Sequence, residues 1–202
     1  VWTPMSIGRR LPGSTATSQL AADRLGVPAN AERIELSGAT LIPGLVEGHS
    51  HLFLHPYDET RWDDQVLEEP FAYRMVAAVA HARATLEAGV TTTRDLGTEG
   101  AFDGDVQLKR AIDNGLVPGP RILTTTRAIV ATGTYAPKGF SPVWEIPQGA
   151  QEADGNSVIR VVREQAGKGA DWIKVYGDYL AGPRGETTPT FKPVAGALVS
   201  AT

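Results

Sequence analysis

Three of the four histidines lie close together in the chain, and two of them are spaced so that they could share a metal ion. His49 and His51 are two residues apart, so on a strand their side chains point to the same face, together with Glu47. Neutral imidazole is the commonest metal ligand in proteins. The spacing favours a metal site but leaves open a surface pair of histidines that binds no ion. The third, His55, is expected to cap the loop before a proline, although it could approach the site.

A lysine further along the chain could supply another ligand. In the strand predicted over residues 171–176, Lys174 shares one face with Trp172 and Tyr176. The other face is aliphatic and would pack on helices: Ile173 and Val175. Lys174 then points inward, where burial disfavours its charged form. A neutral lysine amine can take up CO2 and become a carbamate that bridges two metal ions. The alternative is a lysine whose ammonium group reaches solvent or an acidic partner.

Several other residues could serve the same site, each with a structural alternative. Asp95 could orient a metal-bound histidine, but a role as a cap or an ion-pair partner is favoured. Loop residues are candidates for substrate contact: Tyr135, Lys138 and Tyr176. Trp62 could line the cleft or lie in solvent. His81 falls within a predicted helix, where a surface or internally hydrogen-bonded histidine is expected.

The elements that must carry these residues alternate between strand and helix. Apolar periodicity predicts strands over residues 45–52, 90–96, 121–130 and 171–176, and helices over residues 70–88, 106–114 and 156–168. A further short strand is predicted over residues 31–37, and a long loop over residues 131–155. This alternation indicates a parallel sheet with helices outside it, and four such units make half of an eight-stranded barrel. Active sites of such barrels lie at the carboxyl ends of the strands.

Length and composition exclude several classes of protein. The 202 residues carry a formal net charge of −4, which argues against nucleic acid as a partner. No stretch is long and apolar enough to predict a membrane span. The absence of cysteine excludes disulfides, thiolate metal sites and a cysteine nucleophile. It does not fix the compartment, so a cytoplasmic and a periplasmic or secreted location both stay open.

These motifs resemble the amidohydrolase superfamily. Residues 41–52 (LIPGLVEGHSHL) resemble the strand that opens its barrel. The likeness continues through residues 88–96 (AGVTTTRDL), 119–122 (GPRI) and 169–176 (GADWIKVY). Residues 131–140 and 182–191 are similar to the branch that contains imidazolonepropionase-like and Xaa-Pro dipeptidase-like enzymes. The resemblance extends over roughly residues 21–191.

The resemblance implies an α/β chain that forms part of a (β/α)8 TIM barrel, namely its first four βα units. Residues 1–40 would be a remnant of a small flanking β-sandwich segment, of which residues 1–20 are atypical. Residues 41–191 would be the N-terminal half of the barrel, and residues 192–202 an atypical tail. The chain is therefore expected to be a fragment. Because a half barrel exposes strand edges, a homo-oligomer is expected.

The resemblance also implies the ligand set and the chemistry. His49 and His51 would bind one divalent ion, expected to be zinc, with two ions in a complete site. Lys174, carboxylated by CO2, would bridge them. The family supplies two more histidines and a catalytic aspartate from later strands, and none is recognised here, so no catalytic residue is assigned. One function is metal-dependent hydrolysis of C–N bonds in a small-molecule amide or dipeptide. The other is a catalytically inactive fragment or pseudoenzyme.

Overall fold

The computed structural model describes residues 38–141 and 143–177, together with Asn30, Glu32, Leu36 and residues 180–181 and 186–187. The chain divides into two units, residues 1–43 and residues 44–202. In the first unit, the amide of Ala39 donates to the carbonyl of Leu36 across a turn at Gly38. Most of the strand predicted over residues 31–37 lies outside the described residues, as do residues 1–20 and 192–202.

The second unit alternates between short strands and helices. Its described elements are, in order, β1 (Leu45–Ser50), α1 (Trp62–Glu68), α2 (Phe71–Glu87), β2 (Val90–Asp95), α3 (Gly104–Asp113), β3 (Arg121–Leu123), β4 (Ile129–Val130), β5 (Gln151–Glu152), α4 (Ser157–Lys168), β6 (Leu180–Ala181) and β7 (Glu186–Thr187). Strands β1, β2 and β3 form a parallel sheet with β2 in the middle. Strands β4 and β5 form a second parallel pair, and β6 and β7 pair antiparallel.

The α/β class with parallel strands is therefore confirmed, and so are most of the predicted helices. Helix α2 ends before Gly89 and α4 before Gly169, both with φ near +100° (93° and 106°), the left-handed conformation that glycine adopts without a steric penalty. Glycine thus ends these helices as the sequence indicates. Helix α1 was not predicted, because its seven residues are mostly polar and show no apolar period.

The strand predicted over residues 121–130 is wrong in its middle, where β3 and β4 are separated by a kink. The kink follows from two aspartates distant in sequence. Asp105 Oδ2 accepts the amides of Thr125 (2.9 Å) and Thr126 (2.7 Å), and Asp171 Oδ2 accepts the amide of Thr124 at 2.9 Å. Amides bound by carboxylates cannot take part in a strand ladder.

The strand predicted over residues 171–176 is reduced to a single parallel bridge between Val175 and Ile129. The amide of Ile129 donates to the Lys174 carbonyl at 2.8 Å, and the amide of Tyr176 donates to the Ile129 carbonyl at 3.1 Å. Ile173 packs with the apolar side of α4, as predicted. Val175 does not, because its side chain is 42% exposed. The aliphatic face is therefore only half covered.

The main hydrophobic core lies between the first sheet and helices α2 and α3. Its buried members are Leu52, Phe53, Ala78, Ala82, Ala101, Leu108 and Ile122. The alanines of α2 let that helix approach the sheet closely, and Gly104 does the same for α3 against the Phe53 ring. None of the helices in the described part of the chain is long and apolar enough to cross a membrane.

Candidate functional site

His51 lies just beyond the carboxyl end of β1, and its ring is held in one tautomer. Nδ1 is 2.8 Å from the carbonyl oxygen of Gly97, in the loop after β2. Because a carbonyl oxygen only accepts, Nδ1 carries the proton and donates it. The lone pair of Nε2 is then left free to bind a metal ion, which is how metal-binding histidines are commonly oriented.

His49 lies beside His51, with the two ring centroids 5.3 Å apart. The backbone amide of His49 donates to Glu47 Oε1 at 2.8 Å, so the Glu47 side chain folds back onto its own strand. Partial desolvation lowers the pKa of His49, and the positive charges of Lys174, His51 and Arg94 lower it further, while Glu47 acts in the opposite direction. These influences act in favour of the neutral imidazole of His49, the form that binds metal.

Lys174 reaches the same region from the segment that bridges to β4. Its side chain is half-buried, and Nζ lies 5.0 Å from the centroid of the Tyr176 ring. The positive charge of Lys174 is one of the influences that lower the pKa of His49. Trp172 shares this face and stacks under the Arg94 guanidinium, 5.4 Å from the ring centroid. The rings of His49 and His51 are therefore neighbours, and Lys174 lies on the face of the segment that also carries Trp172 and Tyr176.

Asp95 is completely buried and binds backbone rather than a histidine. Its Oδ2 accepts the amide of Leu52 at 3.1 Å, and its Oδ1 accepts the amide of Gly97 at 3.2 Å. Burial raises the pKa of Asp95 well above the usual range, and the nearby charge of Asp105 raises it further. Asp95 thus joins the loops after β1 and β2, and it reaches His51 only through Gly97.

The hydroxyl groups of Tyr135 and Tyr176 are directed at a buried carboxylate, Glu99. The Tyr135 hydroxyl donates to Glu99 Oε2 at 2.8 Å, and the Tyr176 hydroxyl donates to Oε1 at 3.3 Å. The two rings stack with centroids 4.9 Å apart. Burial, and then the charge of Glu99, raises the pKa of Tyr135 above its usual range and that of Tyr176 to about 12. Both phenols therefore stay neutral hydrogen-bond donors.

Glu99 is the residue that sequence reasoning missed at this site, and its neighbour Trp62 is the one that could line the cleft or lie in solvent. The Trp62 indole Nε1 donates to Glu99 Oε2 at 3.1 Å, and its ring meets Tyr135 edge-on. Glu99 Oε1 lies 4.0 Å from Nδ1 of His51. The sequence offers one indication of Glu99: it is an acidic residue between two glycines, shortly after the end of a predicted strand.

Arg74 of α2 ties together the loops that carry these groups. Its guanidinium is buried and donates to three backbone carbonyls, those of Phe53, Thr98 and Glu99, at 2.6–3.1 Å. Arg74 lies on the same face of α2 as Ala78, which follows one turn later, and Ala82, which follows two turns later. The helix therefore holds the strand ends as well as the core.

The other candidates make local contacts. His55 Nε2 lies 3.1 Å from Glu69 Oε1, and its ring meets that of His81 edge-on. His81 Nδ1 is 2.9 Å from the carbonyl of Leu52 and donates to it, which confirms the internally hydrogen-bonded alternative. Lys138 Nζ donates to the carbonyl of Gly133 in its own loop. Both histidines line an open cleft of about 440 Å³ beside His51.

Over residues 38–141 and 143–177, no three His, Cys, Asp or Glu side chains converge as a metal site. In the described part of the chain, His49 and His51 are the paired imidazoles, and their role as metal ligands stays a prediction.

The model of the amidohydrolase family matches residues 40–191 of this chain. The chain is similar to a solved amidohydrolase, with 29% identity and a TM-score of 0.57 over 82% of this chain and 41% of that one. It is similar to a prolidase solved in complex with N-methylphosphonate-L-proline, with 26% identity and a TM-score of 0.57 over 78% of this chain and 40% of that one. No curated protein matches the chain.

A third solved structure, a Xaa-Pro dipeptidase with methionine bound in its active site, matches with 26% identity and a TM-score of 0.56. The match covers 72% of this chain and 37% of the dipeptidase. The chain thus spans about two fifths of the length of the solved proteins that it matches.

Proposed function

This chain belongs to the amidohydrolase family, and we propose that it supplies one half of the site of a metal-dependent hydrolase that cleaves C–N bonds. The single observation that carries the proposal is the arrangement of His51. Its Nδ1–H donates to the Gly97 carbonyl, which leaves Nε2 available as an acceptor, and its ring centroid lies 5.3 Å from that of His49. A pair of surface histidines that binds no metal ion would not require a fixed tautomer of His51.

The donors present fit a zinc ion. Each Zn–N bond is about 2.0–2.1 Å long, so two rings with centroids 5.3 Å apart can each turn one nitrogen to the same ion. Imidazole nitrogen is a preferred zinc ligand. The lowered pKa of His49 favours the neutral ring that such binding requires. His49 and His51 would hold the ion, and Lys174 is placed to complete the group.

Lys174 would contribute as a carbamate. In the structure its Nζ lies over the Tyr176 ring, 5.0 Å from the ring centroid, within the range of a cation–π contact. Carboxylation requires the neutral amine, whose nitrogen attacks CO2, forms an N–C bond and loses a proton. The product is a carboxylate-like anion, which would bridge two ions in a complete site. Metal binding to that anion would offset the lost contact with Tyr176.

When bound, the metal would lower the pKa of a water molecule and polarise the carbonyl of the scissile bond. The chain's own residues keep the ligands in place: the Gly97 carbonyl orients His51, and Asp95 holds the amide of Gly97. We propose a small-molecule amide or a dipeptide as the substrate, supported by the solved prolidase and Xaa-Pro dipeptidase that the chain resembles. Tyr135 and Tyr176 would contact it through ring atoms rather than through their hydroxyl groups, because both hydroxyl groups bind Glu99.

The test of the metal site is calorimetric titration of the chain with Zn²⁺ in bicarbonate buffer. We expect His51→Asn to weaken binding by more than the roughly 10–100-fold that is typical when a supporting residue is lost. His81→Asn is the matched control, because it removes a histidine whose ring is bound to the Leu52 carbonyl. Equal affinity of wild type and His51→Asn would refute the site.

Hydrolysis is tested separately, with a panel of N-acyl amino acids and Xaa-Pro dipeptides. Turnover that a chelator abolishes and Zn²⁺ restores would support the hydrolase. The alternative is a chain that binds metal without turnover, and it is favoured by the absence of a third His, Cys, Asp or Glu ligand in the described part of the chain. Zinc binding with no detectable product across the panel would support this inactive form.

We also propose that the chain forms a homo-oligomer. Strand β1 lies at the edge of its sheet in the described part of the chain, and Leu45 and Val46 on it are 52% and 74% exposed. An apolar edge strand favours pairing with a second chain. Light scattering should then give a mass that is a multiple of 21.5 kDa, and a uniform monomer would contradict the proposal.

A further inference from the structure

Among the acidic groups at the site, the Glu99 carboxylate binds the most side chains. Neither the proposed metal ion nor the packing of the hydrophobic core accounts for these contacts. Only 2% of the residue is exposed. The carboxylate accepts hydrogen bonds from Trp62, Tyr135 and Tyr176, which come from α1 and from two different loops. Burying a carboxylate costs free energy unless donors replace the water that it loses, and these three neutral groups do so.

The backbone of Glu99 is strained in order to place this carboxylate. Its φ is +49°, in the left-handed region that glutamate adopts at a cost. Arg74 holds the strained turn, since its Nη1 donates to the Glu99 carbonyl at 2.6 Å. Glycine would adopt the same turn without strain, as Gly97 and Gly100 do on either side. A strained non-glycine residue whose side chain is fully used is a candidate for a functional role.

We propose that Glu99 is a positioning residue that holds the His51 side and the Lys174 side of the half site in one arrangement. The inference rests on the proposed metal site. It adds a residue that lies four positions beyond the end of β2, contacts no substrate and acts only through its neighbours. Its carboxylate lies near His51 and binds the hydroxyl of Tyr176, whose ring supports Lys174, so it has a contact toward each side.

The first of these contacts runs to His51. Glu99 Oε1 lies 4.0 Å from Nδ1, the atom whose proton is donated to the Gly97 carbonyl. The negative charge favours the ring orientation in which this N–H faces Glu99 and Gly97 and in which Nε2 is left available to a metal ion. A carboxylate near the N–H of a ligating imidazole also makes the opposite nitrogen a better donor.

The second contact runs to Lys174 through Tyr176. The Tyr176 hydroxyl is fixed by Glu99 Oε1, and the Tyr176 ring carries Lys174 Nζ on its face at 5.0 Å. Tyr135 reinforces this arrangement, because it stacks on Tyr176 and donates to the other carboxylate oxygen. Without Glu99, both phenols would be free to rotate toward solvent, and Lys174 would lose the surface that supports it.

The decisive variant is Glu99→Gln, which preserves shape and removes the charge. The Trp62 indole can only donate, so the amide oxygen must remain on the side of Trp62 and Tyr135. The amide NH2 of the substituted side chain then faces the Nδ1–H of His51. Both groups are donors, so they cannot form a hydrogen bond with each other. We expect zinc binding, measured by calorimetry, to weaken about 10–100-fold. In the metal-free chain, we expect the near-ultraviolet circular dichroism of the stacked tyrosines to decrease while the far-ultraviolet spectrum is retained.

Glu87→Gln is the matched control, because it removes one negative charge from an exposed residue at the end of α2. It should leave both the zinc affinity and the near-ultraviolet spectrum unchanged. If Glu99→Gln does not fold, Tyr176→Phe replaces it, since it removes a single hydroxyl that binds Glu99 Oε1. That variant should keep the fold and bind zinc more weakly than wild type.

The outcomes separate this inference from the proposal on which it rests. Zinc affinity that is equal in wild type and in a folded Glu99→Gln or Tyr176→Phe would overturn the role of Glu99 and leave the metal site intact. If the wild-type protein does not bind zinc, or if His51→Asn binds zinc as tightly as wild type, the metal site is overturned. This inference then fails with it. Weakened binding in Glu99→Gln alone, with Glu87→Gln unchanged, would support both.

Discussion

Replacing Arg74 by lysine would test whether one buried guanidinium holds the loops of the site. Arg74 donates four hydrogen bonds to three backbone carbonyls, at distances of 2.6–3.1 Å. The carbonyls belong to Phe53, in the loop after β1, and to Thr98 and Glu99, in the loop after β2. A lysine ammonium keeps the charge but has a single nitrogen and cannot reproduce the planar fork.

The loss can be estimated from the number of carbonyls left without a donor. A lysine at this position can satisfy one of the three, so two buried carbonyls lose their partner. Each unsatisfied buried acceptor costs about 1–3 kcal/mol, which gives a loss of about 2–6 kcal/mol in the free energy of unfolding. That is a large share of the roughly 5–15 kcal/mol by which native domains are stable. Arg74→Lys should therefore lower the urea midpoint strongly.

The assay is urea unfolding followed by circular dichroism, with Arg83→Lys as the matched control. Arg83 lies on the same helix but is exposed and is paired only with Glu87, so its replacement should leave the midpoint unchanged. Equal midpoints for Arg74→Lys and Arg83→Lys would refute the reasoning. In that case, the three carbonyls would be satisfied without the guanidinium.

Two further changes should separate packing from electrostatics. A Cβ added at Gly104 would lie 2.7 Å from Phe53 Cε1, so Gly104→Ala should destabilise the chain by about 1–3 kcal/mol in urea unfolding. Gly167→Ala, in the last turn of α4 where an added Cβ meets no atom within 4 Å, should instead stabilise the chain by about 0.5–1 kcal/mol. Equal effects of the two substitutions would contradict the close contact of Gly104 with Phe53. The raised pKa of Asp95 means that the folded state holds this proton more tightly than the unfolded state, so its contribution to stability falls as the pH rises from about 4 toward the folded pKa. Asp95→Asn should make the urea midpoint less dependent on pH over that window, whatever its absolute stability, and an unchanged slope would disprove the assignment.

The sequence predicts those elements whose causes are local. The apolar period and a terminal glycine locate α2 and α4, and β-branched residues locate β2. The kink between β3 and β4 could not be predicted, because it depends on Asp105 and Asp171, which lie 21 and 47 residues from the threonines whose amides they bind. Such pairings are set by tertiary packing and leave no periodic signal nearby.

The site shows the same division between local and distant causes. Strand alternation is enough to place the rings of His49 and His51 together. Glu99 could not be found in this way, because its direction depends on a left-handed backbone at a non-glycine residue. Its three donors come from segments 36–77 residues distant in sequence. The expectation for Val175 was wrong for a related reason: alternation gives the face of a side chain but not what covers it.

The distribution of buried charge argues that this end of the sheet is built for position rather than for stability. Arg74, Glu99, Asp95 and Asp105 are all buried, and burying a charge costs more than burying an aliphatic side chain of the same size. Arg74 and the two aspartates bind backbone groups of the loops that follow β1, β2 and β3. Glu99 binds side chains from α1, from the loop after β4 and from the segment that bridges to β4. The aliphatic residues that offset this cost pack between the sheet and helices α2 and α3. A fold selected for stability alone would extend that apolar core to the strand ends. Keeping four ionisable groups there is explained if the loops beside His51 must be held in one conformation.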